Sequence, residues 1–344
     1  MAAFIPRASF PSLSVPRSYF LGHHAAGLTR MKSLLSSIDL VIECRDYRLP
    51  LTSRNPLFES SLGERPRLIV YTQQDRGSNY TAQDTAREGI VSKWYAPTPV
   101  LFTSSTSKKG LQAILSFCRN HANSSSSHLF GTRVLIVGMP NVGKSTLLNS
   151  LRKVSLNRGK ASRTGNQPGI TRKIESAVKI IEPPRGSGQG EAGTVYVVDT
   201  PGVFTHYIPD AESMLKLCLC GSVKDTIVPP ETVADYLLYH LNLHSPALYA
   251  AYHPQPTNDI AAVLKALALK QGRLKKGGEP DYEAAALQFI QRWRWGEMGR
   301  FVLDDVSSEH GFRQREDMLE GMGGSMSAAR RQIRDARKAA AKGL

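Results

Sequence analysis

Gly138-Met139-Pro140-Asn141-Val142-Gly143-Lys144-Ser145 constrains this chain more than any other segment. It fits the pattern G-x-x-x-x-G-K-[ST] of a phosphate-binding loop. Arg133 to Val137 before it reads as a buried strand, and Ser145 to Leu151 after it as the start of a helix. Backbone N–H groups of such a loop turn onto phosphate oxygens, and the helix N-terminus adds a favourable dipole. Asn141, Val142, Gly143, Lys144, Ser145 and Thr146 are therefore the candidate phosphate contacts. Lys144 is placed to reach the β- and γ-phosphates and Ser145 to ligate Mg²⁺.

A second motif follows. Thr194 to Val198 is strand-like and runs into Asp199-Thr200-Pro201-Gly202. An acid at a strand end is placed to hold the metal, usually through water. A glycine lets the backbone approach the γ-phosphate. Asp-x-x-Gly after a complete phosphate loop points to GTP rather than ATP chemistry. Between the two lies Gln167-Pro168-Gly169-Ile170-Thr171-Arg172, where Thr171 is the candidate third oxygen for the Mg²⁺ shell. Nothing after Gly202 fits the base-reading motif Asn-Lys-x-Asp. Upstream, the strand Arg67 to Tyr71 leads into Thr72-Gln73-Gln74-Asp75, and the strand Val100 to Phe102 leads into Thr103-Ser104-Ser105. Ser104 and Ser105 stand where a short loop would back the base. The base motifs come first and the phosphate motifs second.

This order resembles the circularly permuted GTPases of ribosome assembly, and within that group the mitochondrial branch. The resemblance runs from about Tyr19 to Val306. Its carriers are Gly22-His23, Asp46-Tyr47-Arg48-Leu49-Pro50, Ser53-Arg54-Asn55-Pro56, the phosphate loop, Pro168-Gly169-Ile170-Thr171 and Asp199-Thr200-Pro201-Gly202-Val203. A doubly wound sheet tolerates the permutation because one exposed loop can be cut and another joined. The resemblance implies GTP and GDP as ligands, slow hydrolysis, and action on a mitochondrial large ribosomal subunit through rRNA and ribosomal proteins. It also implies a matrix location, with peripheral contact to the inner membrane open, and a monomeric chain.

One departure stands out. Thr72 and Gln73 occupy the family's Asn and Lys positions, while Asp75 is kept. A carboxylate there can accept from the guanine ring N–H and exocyclic amine, an arrangement adenine cannot match. Guanine preference is expected to survive with weaker affinity or looser discrimination. Val203 stands where many Ras-like GTPases place a water-orienting glutamine, and a hydrophobic residue there is typical of the family this chain resembles. The resemblance offers two compensating residues. Asn141 matches an asparagine that helps place a potassium ion in related GTPases. His23 matches a histidine held to position water in bacterial relatives; a structural histidine is the alternative reading.

The 344 residues carry a net charge of +15, which argues for a polyanionic partner. Four cysteines in no zinc-like set fit a reducing compartment; Cys218 and Cys220 read as buried thiols. No run approaches the roughly 20 apolar residues of a membrane span. Residues 1–18 read as a mitochondrial presequence, basic and free of acids. Residues 19–205 form the GTPase domain, an α/β, doubly wound, mostly parallel sheet. Residues 206–320 form a smaller all-α domain and 321–344 a basic tail. Ala25 to Ser37 reads as a helix, His121 to His128 as a flexible joint, and Pro183 to Gly193 as a mobile loop.

Further helices are expected after Pro230 and from Asp281 to about Trp295. Arg292 and Arg294 beside Trp293 and Trp295 fit either an RNA-stacking surface or packing against the GTPase domain. Two basic clusters, Lys265/Lys270/Arg273/Lys275/Lys276 and the tail from Arg330 to Lys342, are candidate phosphate-contacting surfaces. The main functional expectation is a GTP-controlled switch. The alternatives are a nucleotide-binding rRNA scaffold with negligible hydrolysis and an ATPase of relaxed base choice.

Overall fold

The computed structural model describes residues 4–12, 14, 28–29, 31–55, 61–63, 65–124, 131–159, 177–183, 193–203, 208 and 210–306. Its centre is a six-stranded sheet. The strands are β1 (Leu40–Asp46), β2 (Arg67–Thr72), β3 (Val100–Phe102), β4 (Thr132–Gly138), β5 (Val178–Ile181) and β6 (Val195–Asp199), in the order β3-β2-β1-β4-β6-β5. All neighbours are parallel except β5, which runs antiparallel to β6. Helices on both faces require strands that are apolar on both sides, and the runs LVIEC, RLIVY and RVLIV supply them. The exception is Glu43 and Arg45 in β1, which are buried but paired at 2.6 Å. Arg67 joins that pair, and the Arg45 guanidinium lies 4.5 Å from the Tyr95 ring centroid.

One face carries Leu40, Ile42, Leu68, Val70, Val134 and Ile136 against α2 (Lys108–Ser124) and α3 (Lys144–Leu156). The other carries Val41, Leu135 and Val137 against Met31 and Leu35. On that same side Ile69 and Tyr71 pack near Val91 of α1 (Ala82–Trp94). The chain is helical at 31–34 and closes in a 3-10 turn, Leu35–Ser37, inside the expected helix.

Two expectations change. The joint foreseen from His121 is helical as far as Ser124, because Ala122 extends the buried stripe of Leu111, Ile114, Leu115 and Cys118. The remainder of that joint, 125–128, lies outside the described residues, as do 184–192 of the loop expected at 183–193. Strand β5 was not foreseen. Its four residues on the sheet edge leave a signal as short as the strand itself.

Among the described residues four α-helices follow: α4 (Ala211–Leu219), α5 (Pro230–His244), α6 (Ile260–Gln271) and α7 (Tyr282–Arg294). Asp210, Asp259 and Asp281 cap α4, α6 and α7 by accepting from backbone N–H groups of the first turn. Proline opens α5, where its missing N–H costs nothing. Their apolar faces are continuous with the core under α2 and α3. Residues from the N-terminal stretch also reach this layer. Arg7 forks onto Asp235 at 2.7 and 2.9 Å, and the Phe10 ring stands edge-on to Tyr236 at 5.1 Å.

Candidate nucleotide-binding site

In a parallel sheet, ligands sit at the carboxyl ends of the strands, where the connections diverge to opposite sides. Here the chain leaves β1 towards β2 and β3, and leaves β4 towards β5 and β6. The divergence lies between β1 and β4, paired as Cys44 with Gly138. Four loops converge on this edge: those after Thr72, Phe102, Gly138 and Asp199.

The phosphate loop turns through left-handed backbone at Asn141 (φ 58°) and Gly143 (φ 90°) before entering α3. A side chain on Gly143 would press on the Thr72 hydroxyl at 3.3 Å. Lys144 is buried and donates from Nζ to the loop's own Met139 carbonyl at 2.7 Å. Burial lowers its pKa, while the Asp199 carboxylate opposes that shift. Ser145 Oγ donates to Asp199 Oδ2 at 2.6 Å, which joins the two phosphate motifs. A hydroxyl and a carboxylate converging at a phosphate loop are the hard oxygen donors that suit Mg²⁺, which takes few protein ligands and completes its shell with phosphates and water. No cluster of three or more His, Cys, Asp or Glu side chains competes for a metal among the described residues.

Gly202 approaches the phosphate loop very closely. A Cβ there would lie 2.5 Å from Pro140 Cα and 2.6 Å from its nitrogen. Val203 donates its N–H to the Gly138 carbonyl at 3.3 Å and turns its side chain into the core beside Val41 and Leu135. Its carbonyl accepts from Asn55 Nδ2 at 2.8 Å, so the Ser53-Arg54-Asn55 segment fastens this loop.

On the base side, Asp75 sits half-buried in a helical turn, Gln74–Gly77. Arg48 and Arg76 lie close enough for its charge to act on them. Gln74 N–H donates to the Thr103 carbonyl at 3.1 Å, tying the Asp75 loop to the Ser104 loop. Ser104 is buried and bonds Thr106 through its hydroxyl, while Ser105 is exposed.

Comparison with known proteins identifies the family. Residues 133–236 match the family described as 50S ribosome-binding GTPase. Mitochondrial ribosome-associated GTPase 1 of Bos taurus is 37% identical over 321 residues, covering 87% of this chain and 92% of that protein. Mitochondrial GTPase 1 of Schizosaccharomyces pombe is 38% identical, covering 88% and 94%. The chain belongs to the mitochondrial ribosome-associated GTPase 1 family. Among solved structures, GNP-bound YlqF from T. maritima superimposes with a TM-score of 0.53 at 25% identity, over 81% of this chain and 98% of that one.

As a mitochondrial ribosome-associated GTPase 1 family member, the chain brings together Asp75, Ser104, Lys144, Ser145, Asp199 and Gly202 on one sheet edge. Asn141 bridges elsewhere: its Nδ2 donates to the Gly221 carbonyl at 2.8 Å, in the turn after α4. Thr171, His23 and the basic tail lie outside the described residues. Cys218 and Cys220 are buried thiols, as expected.

Trp293 and Arg294 resolve to packing rather than RNA stacking. Trp293 is buried beneath Arg48 at 4.9 Å, and Arg294 donates to the Leu219 and Cys218 carbonyls and pairs with Asp225 at 2.6 Å. Sequence reasoning gave the Asp46-to-Pro50 motif no role at the site. The structure gives it one: Arg48 is bidentate on Asp46 (3.0 and 2.7 Å) and reaches the Gln73 side chain.

Proposed function

We propose that this protein is a GTP-controlled assembly factor of the mitochondrial large ribosomal subunit. It binds GTP and Mg²⁺ at the edge described above, hydrolyses GTP slowly alone, and does so faster on the subunit. The observation that supports this reading is the 2.6 Å bond from Ser145 to Asp199, which joins the two phosphate motifs. Bound Mg²⁺ would neutralise the β- and γ-phosphates. Lys144 exchanges its Met139 carbonyl for phosphate oxygens, and Gly202 offers its N–H to the γ-phosphate from its seat on Pro140. Val203 is buried and orients no water, so the water must be placed by another group. His23 and the segment carrying Thr171 are the candidates. Asn141 is the candidate potassium ligand; with Nδ2 on Gly221, it would use its side-chain oxygen.

The names of the relatives, mitochondrial ribosome-associated GTPase 1 among them, support the partner and the compartment. The rRNA surface is the end of α6 and the loop beyond it, where Lys265, Lys270, Arg273, Lys275 and Lys276 are all exposed. Leu269 and Leu274 stand exposed among them, and peripheral contact with the inner membrane would use the same face. No helix among the described residues is long and apolar enough to cross a membrane.

The test is hydrolysis of GTP and ATP by the purified protein, in potassium and in sodium, with and without mitochondrial large subunits. GTP-selective turnover stimulated by subunits is expected. Tight subunit binding with no turnover in any condition would replace the switch with the scaffold reading.

A further inference from the structure

The family's Asn-Lys pair is replaced here, yet the replacements are among the most tightly engaged residues of the site. Thr72 is buried at the end of β2. Its hydroxyl faces the Val142 carbonyl of the phosphate loop and the Arg45 carbonyl of β1, the latter at 3.1 Å. Gln73 follows in left-handed backbone at φ 59°. Its Nε2 donates to Asp46 Oδ2 at 3.0 Å and to the Asn141 carbonyl of the phosphate loop at 3.1 Å. Its Oε1 accepts from Arg48 Nη2 at 3.1 Å and Arg76 Nη1 at 2.8 Å.

An amide has two N–H donors and two lone pairs on oxygen, and all four are matched here. The partners also fix which way the amide points: acceptors face its nitrogen and guanidinium groups face its oxygen. Glutamine therefore suits these surroundings at every donor and acceptor it carries.

We infer that Thr72 and Gln73 are a latch that joins the base-reading loop to the phosphate loop and presets Asp75, preserving selectivity for guanine over adenine without the Asn-Lys pair. Thr72 holds Val142 and Gln73 holds Asn141, at successive positions of the phosphate loop. Asp75 lies two residues beyond Gln73, in the helical turn that Gln73 precedes. Arg48 is the second strut. It is bidentate on Asp46, stacked on Trp293, and donates to the same Gln73 oxygen. Thr72 and Gln73 act through Asp75, so they are positioning residues. Freeing the loop lets Asp75 wander, and that penalises only a base Asp75 can read. The inference rests on the guanine-nucleotide reading above and deepens it.

The experiment is displacement of a fluorescent GDP by GDP, ADP and pyrophosphate from the full chain carrying Thr72→Val, Thr72→Ser, Gln73→Glu or Gln73→Met. Thermal melting reports folding for each. Thr72→Val is isosteric and removes only the hydroxyl. Gln73→Glu keeps the two arginine contacts and loses both donors. The latch predicts that Thr72→Val, Gln73→Glu and Gln73→Met each weaken GDP about tenfold. ADP and pyrophosphate should barely change, and Thr72→Ser should bind as wild type. Folded Thr72→Val and Gln73→Met proteins with the wild-type ratio of GDP to ADP affinity would overturn the latch alone. Equal weakening of GDP, ADP and pyrophosphate would overturn it too, leaving the two residues as supports of the phosphate loop. A wild-type protein with no preference for GDP over ADP would sink the guanine reading and the latch with it. If one position tolerates no change of side chain, the other carries the test.

Discussion

Replacing Asp304 with alanine should cost about 3–4 kcal/mol of folding stability. Its carboxylate is 2% exposed and accepts from Leu51 N–H at 2.9 Å, Thr52 N–H at 2.8 Å and Thr52 Oγ1 at 2.7 Å. Lys216 approaches it at 3.3 Å. Breaking a buried ion pair by removing one partner costs about 3–5 kcal/mol, and backbone donors left in the dark add to that. Lys216 keeps Glu212 at 3.2 Å, which moderates the loss. At about 2.1 cal/mol/K of unfolding entropy per residue, a chain of 344 residues loses about 1.4 °C per kcal/mol, so the melting temperature should fall by about 5 °C. Glu212→Ala is the control. That carboxylate is 62% exposed but accepts from the Tyr236 hydroxyl at 3.2 Å, so its removal should cost about 1 kcal/mol, well below Asp304. Thermal and urea unfolding of both variants decide the matter. An Asp304→Ala protein within about 1 kcal/mol of wild type, or a Glu212→Ala protein equally damaged, would refute the claim that Asp304 clamps this loop.

Gly202→Ala should lower GTP turnover about 100-fold while GDP binding changes little. The new Cβ cannot sit 2.5 Å from Pro140 and must push the Asp199-to-Gly202 loop off the phosphate loop; turnover and displacement assays separate the two effects. His240 is buried against Tyr236 and Phe301, and burial, with Lys216 and His244 nearby, pulls its pKa down to about 3. Its folded pKa is depressed, so the unfolded chain takes the proton first. Stability is complete above about pH 6.5 and falls by about 1.4 kcal/mol per pH unit below it. Urea midpoints from pH 7.5 to 5 should show a shallower slope in His240→Phe, and an unchanged slope would exclude His240 as the source. Arg7→Ala should cost about 1 kcal/mol, since Arg7 and Asp235 are each 21% exposed and doubly bonded. The mass of the mature chain shows whether residues 4–12, which the sequence reading assigns to a presequence, remain to make that contact.

What was legible in the sequence was what is local. The phosphate loop lies within eight adjacent residues, and its strand and helix are declared by Arg133 to Val137 and Ser145 to Leu151. The helices after Pro230 and from Asp281 obey the same short-range rules. What escaped depends on partners distant in sequence. Thr72 looks like the loss of an asparagine until Val142 appears beside it. Gln73 looks like the loss of a lysine until Asp46, Arg48, Arg76 and Asn141 surround its amide. Trp293-Arg294-Trp295 reads as one aromatic-basic patch. Only the fold separates buried Trp293 and Arg294 from Trp295, which is 54% exposed.

Residues 46–55 explain how the permuted order still yields one site. The base-reading strands precede the phosphate loop in the chain, so the two halves must be registered by contact rather than by a short covalent connection. The β1–β4 ladder aligns them along the sheet. Beyond the strand ends the ladder cannot act, and this segment takes over. At one end Asp46 and Arg48 hold Gln73, which holds Asn141. At the other end Asn55 holds Val203, next to the glycine seated on Pro140. In between, Asp304 clamps Leu51 and Thr52, Leu303 N–H donates to the Arg48 carbonyl at 2.9 Å, and Trp293 lies under the Arg48 guanidinium. One buried loop thus touches the base-reading loop, the Asp199-to-Gly202 loop and the C-terminal helices. A shift of Gly202 with the γ-phosphate would reach Asn55 through Val203 and the helical layer through Asp304.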